Sequence, residues 1–191
     1  MITAIVLAAG ASRRFGSQKL LAELRGKPVV RWSVENLLEA QPDEVIVVVG
    51  RDGRGVRAAL DGLAVRVVAN ESWAEGIGSS LRAGVAAVGM DADAAMIALG
   101  DQPGVEARVI ASLLNAHAEG DKAIVVPSYR GERGHPVIFA ASVFPELLAL
   151  RGDRGARDVI ACDRGRVTVV EFDAPLPLDV DTEEELRSLG A

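Results

Sequence analysis

Acidic side chains at two distant points of this 191-residue sequence stand where they could hold a ligand or a cation. Asp101 follows an apolar run, 94–99, and a glycine that permits close approach, so we expect it at the carboxyl end of a buried strand. Asp179 and Asp181 flank Val180, and in an extended segment both carboxylates point to one side. Two negative charges this close favour a cation near them. A turn at Asp101 and helix capping at Asp181 are the alternative roles.

A glycine-containing loop after the first apolar segment has the composition of an anion-binding site. It reads Leu7-Ala8-Ala9-Gly10-Ala11-Ser12-Arg13-Arg14-Phe15-Gly16-Ser17-Gln18-Lys19. Its small residues would let backbone N–H groups approach anionic oxygens, and Arg14 and Lys19 could supply positive charge. The loop lacks the Gly-Lys-Ser/Thr of a P-loop and the Gly-x-Gly-x-x-Gly of a dinucleotide site. A tight turn that carries solvated arginines is the alternative interpretation.

Short apolar segments alternate with amphipathic ones along almost the whole chain. Strands are predicted at 2–7, 44–49, 65–69, 94–99, 123–126, 137–140 and 167–172. Helices are predicted from Pro28 onward, at 54–63, 80–88, 106–119, 142–150 and 156–163, and after Thr182 as an N-cap. This alternation predicts a three-layer α/β sandwich around a mostly parallel sheet, in one domain spanning 1–191. Ligands of such sheets bind outside the carboxyl ends of the strands.

Composition restricts the class of protein. Hydrophobic residues make up 49% and charged residues 25%, as in ordinary globular proteins, and the net charge of −6 argues against a nucleic-acid partner. No apolar run approaches the ~20 residues of a membrane span, so no membrane partner is expected. The short apolar start lacks a basic leader, and Cys162 is the single cysteine. Together these features predict a cytoplasmic location.

Five motifs, taken in order, resemble those of the MobA-like nucleotidyltransferases, and within that group most closely the molybdenum cofactor cytidylyltransferases. They are Leu-Ala-Ala-Gly-x-Ser-x-Arg-x-Gly-x-x-Lys at 7–19, Gly-Asp-Gln-Pro at 100–103, Gly-His-Pro at 134–136, Gly-Asp-x-Gly-Ala-Arg at 152–157 and Asp-x-Asp-Thr at 179–182. The loop at 70–84 is also similar. The resemblance implies a Rossmann-like fold of the nucleotide-diphospho-sugar transferase type.

The resemblance also implies roles for individual residues. Arg14 and Lys19 would contact the triphosphate, and the nucleotide site would be lined by Leu7, Ala8, Ala9, Gly10, Gly76 and Ser80. Asp101 and Asp181 would bind Mg²⁺, with Asp179 behind them. The acceptor would face His135, Arg157 and Asp153. Capping of the following helix is the alternative role for both Ser80 and Asp153.

The implied reaction transfers a nucleoside monophosphate to the phosphate of a molybdopterin-type acceptor and releases pyrophosphate. CTP is favoured over GTP, because related guanylyltransferases usually carry glycine where this chain has Ala9, and the methyl group would narrow a purine pocket. A client molybdoenzyme or its chaperone is a further expected partner. The alternatives are another phosphorylated alcohol or sugar as acceptor, and a non-catalytic chaperone for cofactor insertion. A Rossmann oxidoreductase is disfavoured by the missing fingerprint.

Overall fold

The computed structural model describes residues 1–10, 15, 18–51 and 53–190. Within them the order of elements is β1 (Ile2–Ala8), β2 (Glu23–Leu24), β3 (Lys27–Pro28), α1 (Val29–Glu39), β4 (Glu44–Val49), α2 (Gly53–Ala59), β5 (Arg66–Ala69), α3 (Ile77–Ala86), β6 (Ala94–Leu99), α4 (Ala107–Glu119), β7 (Ile124–Tyr129), β8 (Glu132–Arg133), β9 (Val137–Ala140), α5 (Phe144–Ala149), α6 (Ala156–Cys162), β10 (Val167–Phe172) and α7 (Glu183–Gly190). Short 3₁₀ turns lie at Lys19–Leu21, Trp73–Glu75, Ala141–Val143 and Arg164–Arg166.

An eight-stranded sheet forms the centre of the molecule. Its strand order is β10-β7-β9-β6-β1-β4-β5, with β8 paired to β7. The pairs β1–β4, β1–β6, β4–β5 and β7–β10 are parallel, whereas β9 runs antiparallel to both β6 and β7. Strands β2 and β3 form a separate antiparallel hairpin. The predicted mostly parallel sheet is confirmed.

Helices cover both faces of this sheet, which confirms the three-layer arrangement. One core cluster joins alternate side chains of β1, β4 and β6 to α1, α2 and α4. The other cluster takes the intervening side chains of the same strands and joins them to α3, α5 and α6. Because both faces are covered, the central strands are apolar at nearly every position and almost wholly buried.

The order of the strands places a crevice at the carboxyl ends of β1 and β6. Strands β4 and β5 lie on one side of β1, and β6 lies on the other. Leu7 is in register with Val48 on one side and with Leu99 on the other. The segments that follow β1 and β6 therefore leave the sheet side by side. Open α/β sheets bind their ligands at such switch points.

A small third cluster fixes the C-terminal segment to the same end of the molecule. Val180 is fully buried with Leu24 of β2 and Val29 of α1, and Leu186 and Leu189 of α7 pack against them. Helix α7 thereby rests on the short hairpin, which was not predicted because its strands are only two residues long. No helix among the described residues is both long and apolar enough to cross a membrane.

Several element bounds differ from those predicted. Helix α3 begins at Ile77 rather than Ser80, and Gly76 stands at its N-cap position. Strand β7 continues to Tyr129 instead of ending at Val126, and α2 ends at Ala59. Capping of α3 by Ser80 is therefore wrong, because this side chain lies a full turn inside the helix.

Candidate active site

A cleft of about 630 Å³ opens at the switch point between β1 and β6. Its walls come from the segments after β1, β5 and β6, from the start of α3 and from the C-terminal region. The lining residues are Leu7, Ala9, Gly10, Phe15, Lys19, Leu20, Trp73, Ala74, Gly76, Ile77, Ser80, Leu99, Asp101, Asp153 and Asp181. Nine of these were predicted from the sequence as site residues, and the cleft brings them together from five distant parts of the chain.

Gly100, which follows β6, allows the chain to pass close to the end of β1 at the base of the cleft. Its N–H donates to the carbonyl of Leu7 over 3.0 Å. A Cβ atom at this position would lie 3.2 Å from the Leu7 oxygen and 3.4 Å from the Ala8 Cβ. Because Gly100 has no side chain, Asp101 lies beside the end of β1, at the carboxyl end of a buried strand as predicted.

The C-terminal segment is bonded directly to this point. The Val180 N–H donates to the carbonyl of Asp101 over 2.9 Å, while the Val180 side chain is fully buried. Anchored on both counts, Val180 turns the neighbouring Asp181 towards the cleft. Two carboxylates that are 80 residues apart in sequence, Asp101 and Asp181, are therefore brought to one place, as the family resemblance implied.

Lys19 bridges these two carboxylates. Its Nζ lies 2.6 Å from Asp101 Oδ2 and 2.6 Å from Asp181 Oδ1. The side chains are 12%, 20% and 26% exposed, so the three charges interact largely out of water. Burial by itself would lower the pKa of Lys19, but Asp101 and Asp181 outweigh that effect and raise it above its ordinary value. Lys19 is therefore a cation at neutral pH, placed between two anions.

Asp179 lies behind this triad and is held by Gln102. The Gln102 Nε2 donates to Asp179 Oδ1 over 2.7 Å. Desolvation raises the pKa of Asp179, and the charges of Asp101 and Asp181 raise it further against the opposing bond from Gln102. Among the described residues, Gln102 Oε1 is buried without a hydrogen-bond partner. Gln102 was not predicted as a site residue, although its place in Gly-Asp-Gln-Pro was a signal for it.

A buried amide organises the loop before α3. Asn70 Nδ2 donates to the hydroxyls of Ser79 and Ser80, at 2.8 and 3.1 Å, and its Oδ1 accepts from the Ser72 N–H. Ser79 in turn donates to the Gly76 carbonyl. These bonds fix the 3₁₀ turn that carries Trp73, whose side chain forms a wall of the cleft. Trp73 was not singled out from the sequence, where a lone aromatic in a loop carries no distinctive spacing.

Gly76 is required where this loop touches the segment before α6. Its φ is +108°, and a Cβ there would overlap Asp153 Oδ1 and lie 2.7 Å from the carbonyl of Gly152. The Gly78 N–H donates to the same Gly152 carbonyl over 3.0 Å. The side chain of Asp153 makes no capping bond to α6, so the capping role is not observed. It lines the cleft instead.

The remaining predicted residues occupy different positions. His135 lies just before β9, close enough to Asp101 and Arg157 for their charges to act on it, and burial lowers its pKa. Arg157 is exposed on α6, and Ala8 is 3% exposed within the core. His117 lies half-buried on α4. Arg14 falls outside the described residues.

The described residues contain no group of three or more His, Cys, Asp or Glu side chains that could hold a metal ion. Asp101 and Asp181 form a pair instead. A cation between them would have two protein carboxylates as ligands and would take its other oxygens from a substrate or from water.

Comparison with known proteins agrees with this geometry. Residues 4–169 match the MobA-like NTP transferase domain, which spans both β1 and β10. The chain belongs to this family. Its motifs and its sheet are those of the MobA-like nucleotidyltransferases, of the Rossmann-like nucleotide-diphospho-sugar transferase type.

Several members of the MobA-like family resemble the chain over almost its full length. Rv0371c of Mycobacterium tuberculosis H37Rv superposes with a TM-score of 0.90 at 34% identity, covering 98% of this chain and 96% of that one. A complex of Rv0371c with manganese gives a TM-score of 0.86 at 32% identity, covering 98% and 97%. The nicotine blue oxidoreductase of Paenarthrobacter nicotinovorans is 32% identical, with 98% and 96% covered. The purine catabolism protein PucB of Bacillus subtilis strain 168 is 31% identical, with 95% and 92% covered.

Proposed function

We propose that this MobA-like protein transfers CMP from CTP to the phosphate of a molybdopterin-type acceptor and releases pyrophosphate. The observation that carries the proposal is the meeting of Lys19, Asp101 and Asp181 in the cleft beside the loop after β1. A transferase that joins two polyanions needs both an anion-binding cation and a place for a divalent metal, and these three side chains supply them.

The carboxylate pair suits Mg²⁺ or Mn²⁺. Both oxygens lie 2.6 Å from one ammonium nitrogen, which supports the proposal that the two groups share a divalent cation. Carboxylate oxygens are the donors that these hard cations prefer. The manganese complex of the similar Rv0371c supports the assignment. When bound by Asp101 and Asp181, the metal would neutralise charge on the transferring phosphate.

The residues of the chain would then position the reactants. Lys19 would bind the phosphates that leave as pyrophosphate, together with Arg14. Gly10 and the backbone after β1 would lie against the nucleotide, and Gly76 and Ser80 would hold the base and ribose side of the cleft. His135, Arg157 and Asp153 would face the acceptor. An acceptor phosphate is already ionised near neutral pH, with a second pKa of about 6, so the reaction needs no general base.

For the base, the proposal is cytosine, because Ala9 is 8% exposed and forms part of the cleft wall. In this proposal the Ala9 methyl group would take up space that a larger purine needs. Ala9→Gly should raise kcat/KM for GTP relative to CTP by on the order of ten-fold, the usual effect of one methyl-sized change in a pocket. Equal turnover of CTP and GTP by the unmodified protein would contradict the preference.

The deciding experiment incubates the protein with Mg²⁺ or Mn²⁺, each nucleoside triphosphate in turn, and molybdopterin or another phosphorylated acceptor. Pyrophosphate is measured by a coupled assay and the product is identified by mass. The proposal expects a CMP adduct only with a metal, CTP and a molybdopterin-type acceptor. A product with a different phosphorylated alcohol or sugar would correct the acceptor alone, whereas no pyrophosphate with any acceptor would favour a non-catalytic role in cofactor insertion.

An oxidoreductase is the second candidate, because a relative of 32% identity over nearly the whole chain carries the name nicotine blue oxidoreductase. The chain lacks the Gly-x-Gly-x-x-Gly fingerprint of nicotinamide sites. Equilibrium binding of reduced nicotinamide cofactors and flavins, read from their fluorescence, separates the two candidates. Binding of either, together with reduction of nicotine blue, would favour the second.

A further inference from the structure

The ammonium of Lys19 lies between the carboxylates of Asp101 and Asp181. Its Nζ is 2.6 Å from Asp101 and 2.6 Å from Asp181, and all three side chains are largely withdrawn from water. A divalent cation held by the same carboxylates would stand about 2.0–2.1 Å from their oxygens. An ammonium and a divalent ion at the same two carboxylate oxygens, Asp101 Oδ2 and Asp181 Oδ1, would repel each other at contact distance, so Lys19 and a metal compete for this position.

We propose that Lys19 guards the metal position between Asp101 and Asp181, so that a divalent cation enters together with the nucleotide and not ahead of it. This inference rests on the proposed function, because it takes the two carboxylates as the metal ligands. The proposed function assigns Lys19 to the phosphates and the two carboxylates to the metal. The inference adds that metal binding depends on whether the nucleotide is bound.

The exchange of partners is favourable only when the ammonium has another anion to bind. Lys19 lines the cleft, and its side chain is a flexible four-carbon chain. Its Nζ could therefore turn towards the phosphate oxygens of a triphosphate bound in the cleft. Without phosphates, moving the ammonium would break its ion pairs with Asp101 and Asp181, which is unfavourable because these charges are largely withdrawn from water. Binding of the triphosphate therefore increases the affinity for the metal, and binding of the metal increases the affinity for the triphosphate by the same factor.

The test measures Mn²⁺ binding to the whole protein without nucleotide, from the loss of the free-ion electron paramagnetic resonance signal. Lys19→Met removes the guarding charge and keeps the length of the side chain. Lys27→Met is the matched control, because Lys27 pairs with Glu35, lies over the ring of Trp32 and is not among the residues that line the cleft. The two variants change the net charge equally, so a general electrostatic effect would appear in both.

Lys19→Met should bind Mn²⁺ on the order of ten-fold or more tightly than the unmodified protein, within the usual range of coupling between sites. Lys27→Met should bind like the unmodified protein. If Lys19→Met does not fold, as judged by circular dichroism, Lys19→Gln takes its place. Equal or weaker Mn²⁺ binding by the Lys19 variant would overturn the inference.

Adding Asp101→Asn to the Lys19 variant separates this inference from the proposed function. If Asp101→Asn abolishes Mn²⁺ binding while Lys19→Met leaves it unchanged, the metal site stands and the guarding role fails. If Asp101→Asn leaves Mn²⁺ binding unchanged, the carboxylates do not hold the metal, and both the proposed site and the inference fail.

Discussion

At the scale of single residues, the site depends on short-range contacts between side chains that are far apart in sequence. Lys19 illustrates this. The resemblance assigned it to phosphates, and the structure adds its ion pairs with Asp101 and Asp181, at separations of 82 and 162 residues. No local pattern contains those separations. The sequence therefore predicted the participants, and the fold determined which of them touch.

Asp101 is the residue whose loss should affect turnover most directly. Asp101→Asn keeps the size of the side chain and removes one negative charge from the metal position. Turnover should fall on the order of 10²-fold or more, the scale of removing one electrostatic stabiliser. Pyrophosphate release under saturating Mg²⁺ measures it. Asp91→Asn, at an exposed carboxylate of a turn, is the control and should leave the rate unchanged. Near-normal activity of Asp101→Asn would refute its role.

Gly76 and Gly152 provide a comparison of two kinds of backbone constraint. Gly76→Ala combines a φ of +108° with overlap against Asp153 and Gly152, and should lower the free energy of unfolding by about 3 kcal/mol or more. Gly152→Ala has a φ of +60° but open space for a methyl group, and should cost about 1–2 kcal/mol. Urea unfolding of both variants tests the order. A smaller loss for Gly76→Ala than for Gly152→Ala would contradict this account.

At the scale of elements, apolar patterning predicted the sheet well. Strands β4, β6, β9 and β10 have the predicted bounds, because each is a short apolar or β-branched run between polar residues. The antiparallel orientation of β9 could not be predicted, because an apolar run does not indicate whether the strand lies parallel or antiparallel to its neighbours. The hairpin β2–β3 was missed because two-residue strands have no period. Helix α3 starts earlier than expected, because Ile77 is the single apolar side chain in its first turn, Ile77-Gly78-Ser79-Ser80, and one residue shows no helical period.

The start of α7 shows how an element positions the site. Thr182 Oγ1 accepts from the Glu185 N–H, and Glu185 Oε2 accepts from the N–H groups of both Thr182 and Asp181. This is a capping box, and it confirms the predicted N-cap. The bond from the Asp181 N–H is the largest cause that holds the pKa of Glu185 below its usual value, so the carboxylate stays charged at neutral pH.

Thr182→Ala should therefore lower the free energy of unfolding by about 0.5–2 kcal/mol, the usual cost of losing a helix cap. It should also weaken Mn²⁺ binding, because the backbone of Asp181 loses part of its support. Ser188→Ala, which removes an exposed hydroxyl bond near the other end of α7, is the matched control and should leave Mn²⁺ binding unchanged. Unchanged stability and metal affinity in Thr182→Ala would show that the cap does not position Asp181.

At the scale of the whole molecule, His117 should make stability depend on pH. Burial lowers its pKa in the folded protein, the positive N-terminus lowers it further, and only Asp93 acts in the opposite direction. Its Nδ1 finds no hydrogen-bond partner among the described residues. The unfolded chain, with an ordinary pKa of about 6.5, takes up a proton that the folded chain resists. The free energy of unfolding should therefore fall as the pH drops below about 6.5.

His117→Leu removes this contribution and continues the apolar face of α4. The difference in unfolding free energy between the variant and the unmodified protein should grow in favour of the variant from pH 8 to pH 5.5, as measured by urea titration at each pH. His135 is the second histidine whose pKa is lowered, so His117→Leu should reduce the pH dependence and not abolish it. A constant difference across this range would disprove the contribution of His117.

Strand β9 has a consequence for how such proteins diversify. Because it runs against its neighbours, it presents its beginning at the edge where β6 and β7 present their ends, with Val137 opposite Ile97. His135 thus lies near Asp101 from the later half of the chain, while Gly10 and Lys19 line the cleft from the earlier half. Mutations that retune one half need not disturb the other.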